Sequence, residues 1–118
     1  GIRFDPHDDS DDLIISHNKV YNNKNHGIIA SKRCNNVTIH DNEVFNGDKT
    51  GIYLHRSSND AKVYNNHVYN NKHAGLTLLE SANCEVYDNV FENNQFGARV
   101  VLGSNRNDIH DNIFDRSS

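Results

Sequence analysis

At 118 residues and 35% hydrophobic content, with a mean hydropathy of -0.82, the chain is long enough for one domain but too lean in apolar residues for a thick globular core. A formal net charge of -4 and a pI near 6.0 exclude a non-specific nucleic-acid binder, which carries a basic excess. No apolar run approaches the roughly 18 residues of a membrane-spanning helix, so membrane insertion by such a helix is excluded as well.

The chain opens on a short apolar stretch, Gly1 to Phe4, which runs into Asp5-Pro6-His7-Asp8. Pro6 is the only proline, and the acids Asp9, Asp11 and Asp12 follow soon after it. Leu13-Ile14-Ile15 then reads as a β-type run that leads into "SHNKVYNN", and Gly27 begins the alternating strand "GIIAS". From there the pattern repeats. Val37-Thr38-Ile39 precedes "HDNEVFNG" and "GIYLH"; Lys62-Val63-Tyr64 precedes "YNNHVYNN" and "GLTLL"; Glu85-Val86-Tyr87 precedes "YDNVFENN" and "GARVV"; Asp108-Ile109-His110 precedes "HDNIFDRS".

Asparagine is the most conspicuous bias, with 20 copies, and its anchors Asn18, Asn42, Asn66, Asn89 and Asn112 are separated by 24, 24, 23 and 23 residues. A fixed period of this size is the mark of a solenoid. Helical repeats require 3.6-residue periodicity and strong helix formers, whereas these runs are short, β-branched or aromatic, and bounded by Asn and Gly. A leucine-rich repeat frame is absent. The reading that remains is all-β: a parallel β-solenoid of about five coils, each of about 22–26 residues with about three short strands, stacked about 4.8 Å apart. Stacked Asn side chains then form hydrogen-bonded ladders, and Asn tolerates the left-handed backbone of sharp corners. The aromatics Tyr21, Phe45, Tyr69, Phe91 and Phe114, one after each anchor, are expected to stack as structure. No linker divides the chain, so 1–118 is expected to be a single β-helix segment, flanked by further coils that would cover its open sheet edges.

Stacking the Gly-led strands sorts their residues into columns. Ile28, Ile52, Leu76 and Ala98 point inward, as do Ala30, Leu54, Leu78 and Val100. One outward column reads Arg3, Ile29, Tyr53, Thr77, Arg99, and the next reads Asp5, Ser31, His55, Leu79, Val101. The corner beyond them carries His7, then Lys32 and Arg33, then Arg56. Cations gathered over three coils repel one another unless a ligand or acids offset them. The cluster by itself is compatible with an anion-binding groove or with an ordinary salt-bridge patch.

"DPHD" followed one coil later by "HGIIASK" resembles the periplasmic mannuronan C5-epimerases, over about 30 residues in matching order, with the β-helix pattern covering the rest. The resemblance implies a right-handed parallel β-helix, a periplasmic or extracellular location and an anionic polyuronate as partner. It implies an isomerase that abstracts the C5 proton of a β-D-mannuronate residue and returns one on the opposite face, giving α-L-guluronate. On this resemblance His7 is the base, Asp5 and Asp8 orient it, and Lys32 neutralises the substrate carboxylate, with Arg33 as the alternative for that role. Arg3, Arg33, His55 and Arg56 are implied as substrate contacts. The family places a tyrosine where this chain has Ile2, so Tyr53 and bound water are the candidate proton donors, and a lyase that uses the same abstraction is the runner-up.

No cofactor is implied. The alternative is calcium, held by the oxygen ligands of Asp8, Asp9, Asp11 and Asp12. His17, His26, His40, His67, His73 and His110 read as turn and ladder residues. Cys34 and Cys84 lie too many rungs apart for a disulfide and read as free, structural thiols. A non-catalytic carbohydrate-binding solenoid is the reading from another class.

Overall fold

A computed structural model describes residues 12–31, 35–55, 59–101 and 106–115, together with the backbone of 2–4. The described chain is a parallel β-helix of three five-stranded sheets. The first sheet joins β1 (Ile2–Phe4), β4 (Ile28–Ala30), β7 (Ile52–His55), β10 (Ala74–Leu79) and β13 (Phe96–Val101). The second joins β2 (Ile14–Ser16), β5 (Thr38–His40), β8 (Lys62–Tyr64), β11 (Glu85–Tyr87) and β14 (Asp108–His110). The third joins β3 (Lys19–Tyr21), β6 (Glu43–Phe45), β9 (His67–Tyr69), β12 (Val90–Glu92) and β15 (Ile113–Asp115).

Register follows the columns expected from the repeat. Ile28, Ile52, Leu76 and Ala98 are successive partners, and so are Arg3, Ile29, Tyr53, Thr77 and Arg99. The first set points into the apolar core, where Ile28, Ile52 and Leu76 are fully buried. Ile39, Val63 and Val86 from the second sheet and Val44, Val68 and Phe91 from the third complete it. Two thin columns from the first sheet, the second being Ala30, Leu54 and Leu78, and one from each of the others are enough, because each buried aliphatic side chain stabilises by about 1.5–3 kcal/mol and the coils repeat the same contact.

The corners divide between two residues what the sequence assigned to one. Between the second and third sheets the left-handed backbone falls on His17, Asp41, Asn65, Asp88 and Asp111, each with φ between 54° and 56°, and after the third sheet it falls, as expected, on Asn22, Asn46, Asn70 and Asn93. At the first of these corners the next residue forms the ladder: Asn42 donates both its backbone N–H and its side-chain amide to Asn66 Oδ1 at 3.0 Å, and Asn66 donates likewise to Asn89 Oδ1 at 2.9 Å. These ladder residues are buried, and their amides also reach back to carbonyls such as Ile39 O at 3.0 Å. A second ladder, in which Asn71 donates to Asn94, closes the corner between the third and first sheets.

The aromatics after the anchors form two stacks. Tyr21, Phe45 and Tyr69 stack outside the third sheet with centroids 5.2 and 4.8 Å apart, while Phe91 and Phe114 stack in its inward column at 5.3 Å. The coils that hold Phe91 and Phe114 place the aromatic two residues after the anchor Asn instead of three, and with a strand period of two that single step reverses the face. The Gly-led strands are explained by the same column. A Cβ on Gly75 would stand 2.6 Å from Phe91 Cδ1 and one on Gly51 would stand 2.5 Å from Val68 Cγ1, so the chain can pass there only without a side chain.

Cys84 is buried and forms no disulfide; Cys34 lies outside the described residues. Of the acids weighed for calcium, Asp12 alone is described. Its carboxylate accepts from Asn36 Nδ2 at 2.5 Å, a bond between neighbouring coils.

Candidate functional site

The outward face of the first sheet bears a groove of about 380 Å³, lined by His26, Lys49, Tyr53, Lys72, His73 and Arg99 among others. Four adjacent coils supply these groups: His26 precedes β4, Lys49 and Tyr53 come with β7, Lys72 and His73 precede β10, and Arg99 lies on β13, where the register sets Tyr53 beside Thr77 and Thr77 beside Arg99. Thr77 is only 6% exposed and Ile29 only 8%, so the outer face here is a packed surface from which the polar groups project.

Hydrogen-bond directions fix the imidazoles. Thr50 N–H donates to His26 Nδ1 at 3.2 Å, which puts the proton of neutral His26 on Nε2. Arg99 has only donors, so His73 Nε2, 3.4 Å from a guanidinium nitrogen, must accept; the His73 proton then sits on Nδ1, 3.2 Å from Thr50 Oγ1. Burial, reinforced by Lys49, His55 and His73, lowers the His26 pKa to about 4, against the smaller opposing effect of its bond to Thr50. His26 is therefore neutral at pH 7. Tyr53 is half-buried and held by rings on two sides: His26 packs edge-on at 4.4 Å between centroids, and His55 stacks at 4.6 Å.

Tyr53 and His55 are thus brought together as the columns require. Arg3 is placed by the backbone register alone, opposite Ile29 and two strands from Tyr53. Asp5, His7, Asp8, Lys32, Arg33 and Arg56 lie outside the described residues. The register that ends at Phe4, Ala30 and Leu54 leads, one to three residues further on in sequence, to Asp5 and His7, to Lys32 and Arg33, and to His55 and Arg56. His26 and His73, read as scaffold from the sequence, line the groove. The signal available for His26 was its place at the head of "HGIIASK"; His73 carries no comparable motif.

A second, larger groove of about 740 Å³ follows the corner between the second and third sheets, where the acids Asp41, Glu43, Asp88 and Glu92 alternate with Asn, with His17 and His67 and with Lys19. His67 Nε2 lies 3.5 Å from Glu92 Oε1. Burial, together with the bond that its hydroxyl donates to Glu43, pushes the Tyr69 phenol up to about 12. Outside the second sheet, His40, Tyr64, Tyr87 and His110 form a continuous stack with spacings of 5.0, 5.1 and 5.4 Å. At its end His110 is raised above the ordinary imidazole range, chiefly by its bonds to Asp111 and Glu85.

A family model described as NosD, periplasmic copper-binding protein, matches residues 1–118. Among solved structures, the periplasmic alginate epimerase AlgG is similar to the chain at 38% identity with a TM-score of 0.88, over 95% of this chain and 26% of that one. A single-mutant form of that epimerase matches at 38% identity and a TM-score of 0.85, over 91% of this chain and 26% of that one. A further mutant structure of an enzyme of that name, at 24% identity and a TM-score of 0.72, shares the fold. The chain therefore spans about a quarter of the length of the first two of these epimerase chains. No curated protein matches it.

Proposed function

The chain belongs to the periplasmic copper-binding protein (NosD) family, and from that premise, with its likeness to the alginate epimerase, we propose that it is the catalytic stretch of a periplasmic polysaccharide C5-epimerase. The observation that supports this reading is the backbone register of Ile2–Phe4, the strand that leads in sequence into DPHD, with Ile28–Ala30 and with the strand that carries Tyr53 and His55.

The proton at C5 of a mannuronate residue is hard to remove because the neighbouring carboxylate is already negative. A cation on that carboxylate lets the charge of the intermediate delocalise onto oxygen. Lys32 supplies it in our reading, with Arg33 as the alternative. His7, whose ordinary pKa of about 6.5 suits proton transfer near neutrality, takes the proton, and Asp5 and Asp8 orient its ring. Tyr53, steadied between His26 and His55, returns a proton to the opposite face. Arg3, Arg33, His55 and Arg56 hold carboxylates of flanking sugars, and Lys49 and Arg99 extend that cationic track along the groove. No step of this chemistry calls on a cofactor.

Incubating polymannuronate with the full-length protein in deuterated buffer tests the assignment. Deuterium is expected at C5, with changed sugar configuration. His7→Ala is expected to reduce uptake by about 100-fold or more, the range for loss of a general base. Retained uptake in that variant would remove His7 from its role. An unsaturated, ultraviolet-absorbing product would identify a lyase, and binding without exchange would identify a non-catalytic solenoid.

A further inference from the structure

We propose that His17, His40 and Asp41 form a binding site for a divalent transition ion of the copper(II) class, on the side of the β-helix away from the epimerase groove. The donor atoms of all three lie within 4.8 Å of one another. Ligands held at about 2.0–2.1 Å from an ion stand roughly 3 Å apart, so closure asks only for rotation of side chains. The His40–Asp41 pair is held together by a hydrogen bond, with Nδ1 and Oδ2 2.6 Å apart, and an ion would take the place of the proton between them as the two atoms move slightly apart. His17 is exposed and free to turn toward them, its ring edge-on to His40 at 5.7 Å between centroids.

Local structure holds the other two donors in place. Tyr64 stacks on His40 with ring planes 7° apart, and Asp41 sits on a corner with φ 54°. His17 is the exception in its column: the same left-handed corner position is Asp41, Asn65, Asp88 and Asp111 in later coils. The choice of imidazole at that position has no backbone reason, since Asn or Asp serves the turn at least as well. Two imidazoles and one carboxylate are borderline donors that suit copper(II) and zinc, with copper(II) the tighter by the general order of divalent ions. Among the described residues no soft sulfur donor that would favour copper(I) is offered here: the chain has no Met, and Cys84 is buried in the core. The donor set thus fits the metal in the family's description in its oxidised state. A second group, Glu85, Asp108 and His110, offers one imidazole and two carboxylates, a donor set richer in oxygen and so less suited to copper(II).

The test uses the tag-free full-length protein titrated with copper(II), and separately with zinc(II), by calorimetry and electron paramagnetic resonance. One copper(II) is expected at this site, with nitrogen hyperfine coupling from two imidazoles and an affinity at least tenfold above zinc. His17→Asn and His40→Tyr borrow the residues that Asn65 and Tyr64 place in the same columns, so the fold is retained. Each is expected to weaken copper(II) binding at least tenfold and to remove one nitrogen from the spectrum, while C5 exchange on polymannuronate is unchanged. Unaltered copper(II) affinity and spectrum in both variants would overturn the proposal. If either loses its β-sheet circular dichroism, Asp41→Asn, which copies the corner at Asn65, takes its place with the same expected loss of affinity.

Discussion

His26 and His110 respond to acid in opposite senses because their surroundings differ. His26 is partly buried among cations, so its folded pKa of about 4 lies below the unfolded value of about 6.5. Between those two values the unfolded chain binds a proton that the folded chain refuses, so this residue's contribution falls as pH drops from about 6.5 toward 4. His110 is raised by its carboxylate partners, so it stabilises at low pH and that contribution is lost as pH rises through its elevated pKa. Replacing His26 by Gln, which keeps an acceptor for Thr50 N–H without a titrating ring, should flatten the fall in thermal midpoint between pH 6.5 and 4. Allowing for solvent at the mouth of the groove, the difference at pH 4 is on the order of 1–2 kcal/mol. Midpoints measured at both pH values for the two proteins check it, and an unchanged slope would mean that His26 is not the residue that refuses the proton.

At the scale of the coil, the ladder and the turn are separable. Asn66 is 2% exposed; its Oδ1 accepts two bonds from Asn42, and its amide donates to Ile39 O and Asn89 Oδ1. Asn66→Ala leaves several buried partners unsatisfied, at about 1–3 kcal/mol for each group that water cannot reach, so a total of about 3–5 kcal/mol is expected. Asn65→Asp keeps a residue that the corner accepts, as Asp41 and Asp88 do, and should cost less than about 0.5 kcal/mol. Urea unfolding of the two variants checks the contrast; equal losses would contradict the division of roles. The spacing of the Asn residues made the ladders legible in the sequence, since a hydrogen bond between identical residues one coil apart leaves a fixed period. The aromatics were legible only as a series. Which face Phe91 and Phe114 take depends on a one-residue offset from the anchor, and a strand converts that offset into opposite sides of the wall.

For the whole molecule, the outward columns Ile29–Tyr53–Thr77 and His55–Leu79 followed from strand alternation, because a parallel coil copies its register from one turn to the next. The groove's second histidine did not, since His73 reaches it from the corner before β10, and the repeat pattern does not aim corner side chains. On the proposed function, local charge rather than the net charge of -4 decides the binding of an anionic polymer: Asp41, Glu43, Asp88 and Glu92 line the groove between the second and third sheets, while Lys49, Lys72 and Arg99, against Asp48, line the groove on the first. Lys72 is exposed and pairs with Asp48 at 3.2 Å, a contact worth little in water, so its charge remains available to a ligand. If polymannuronate runs along this face, attraction is local while the distant acids repel, and salt of about 8–10 Å Debye length screens both. Polymer binding should therefore weaken by roughly tenfold between about 0.01 and 0.15 M salt, and the Lys49→Gln, Lys72→Gln double variant should bind more weakly at low salt with a shallower dependence. Fluorescence-monitored titrations at several ionic strengths measure both. A double variant with the parent's affinity and salt slope would place the polymer on another face.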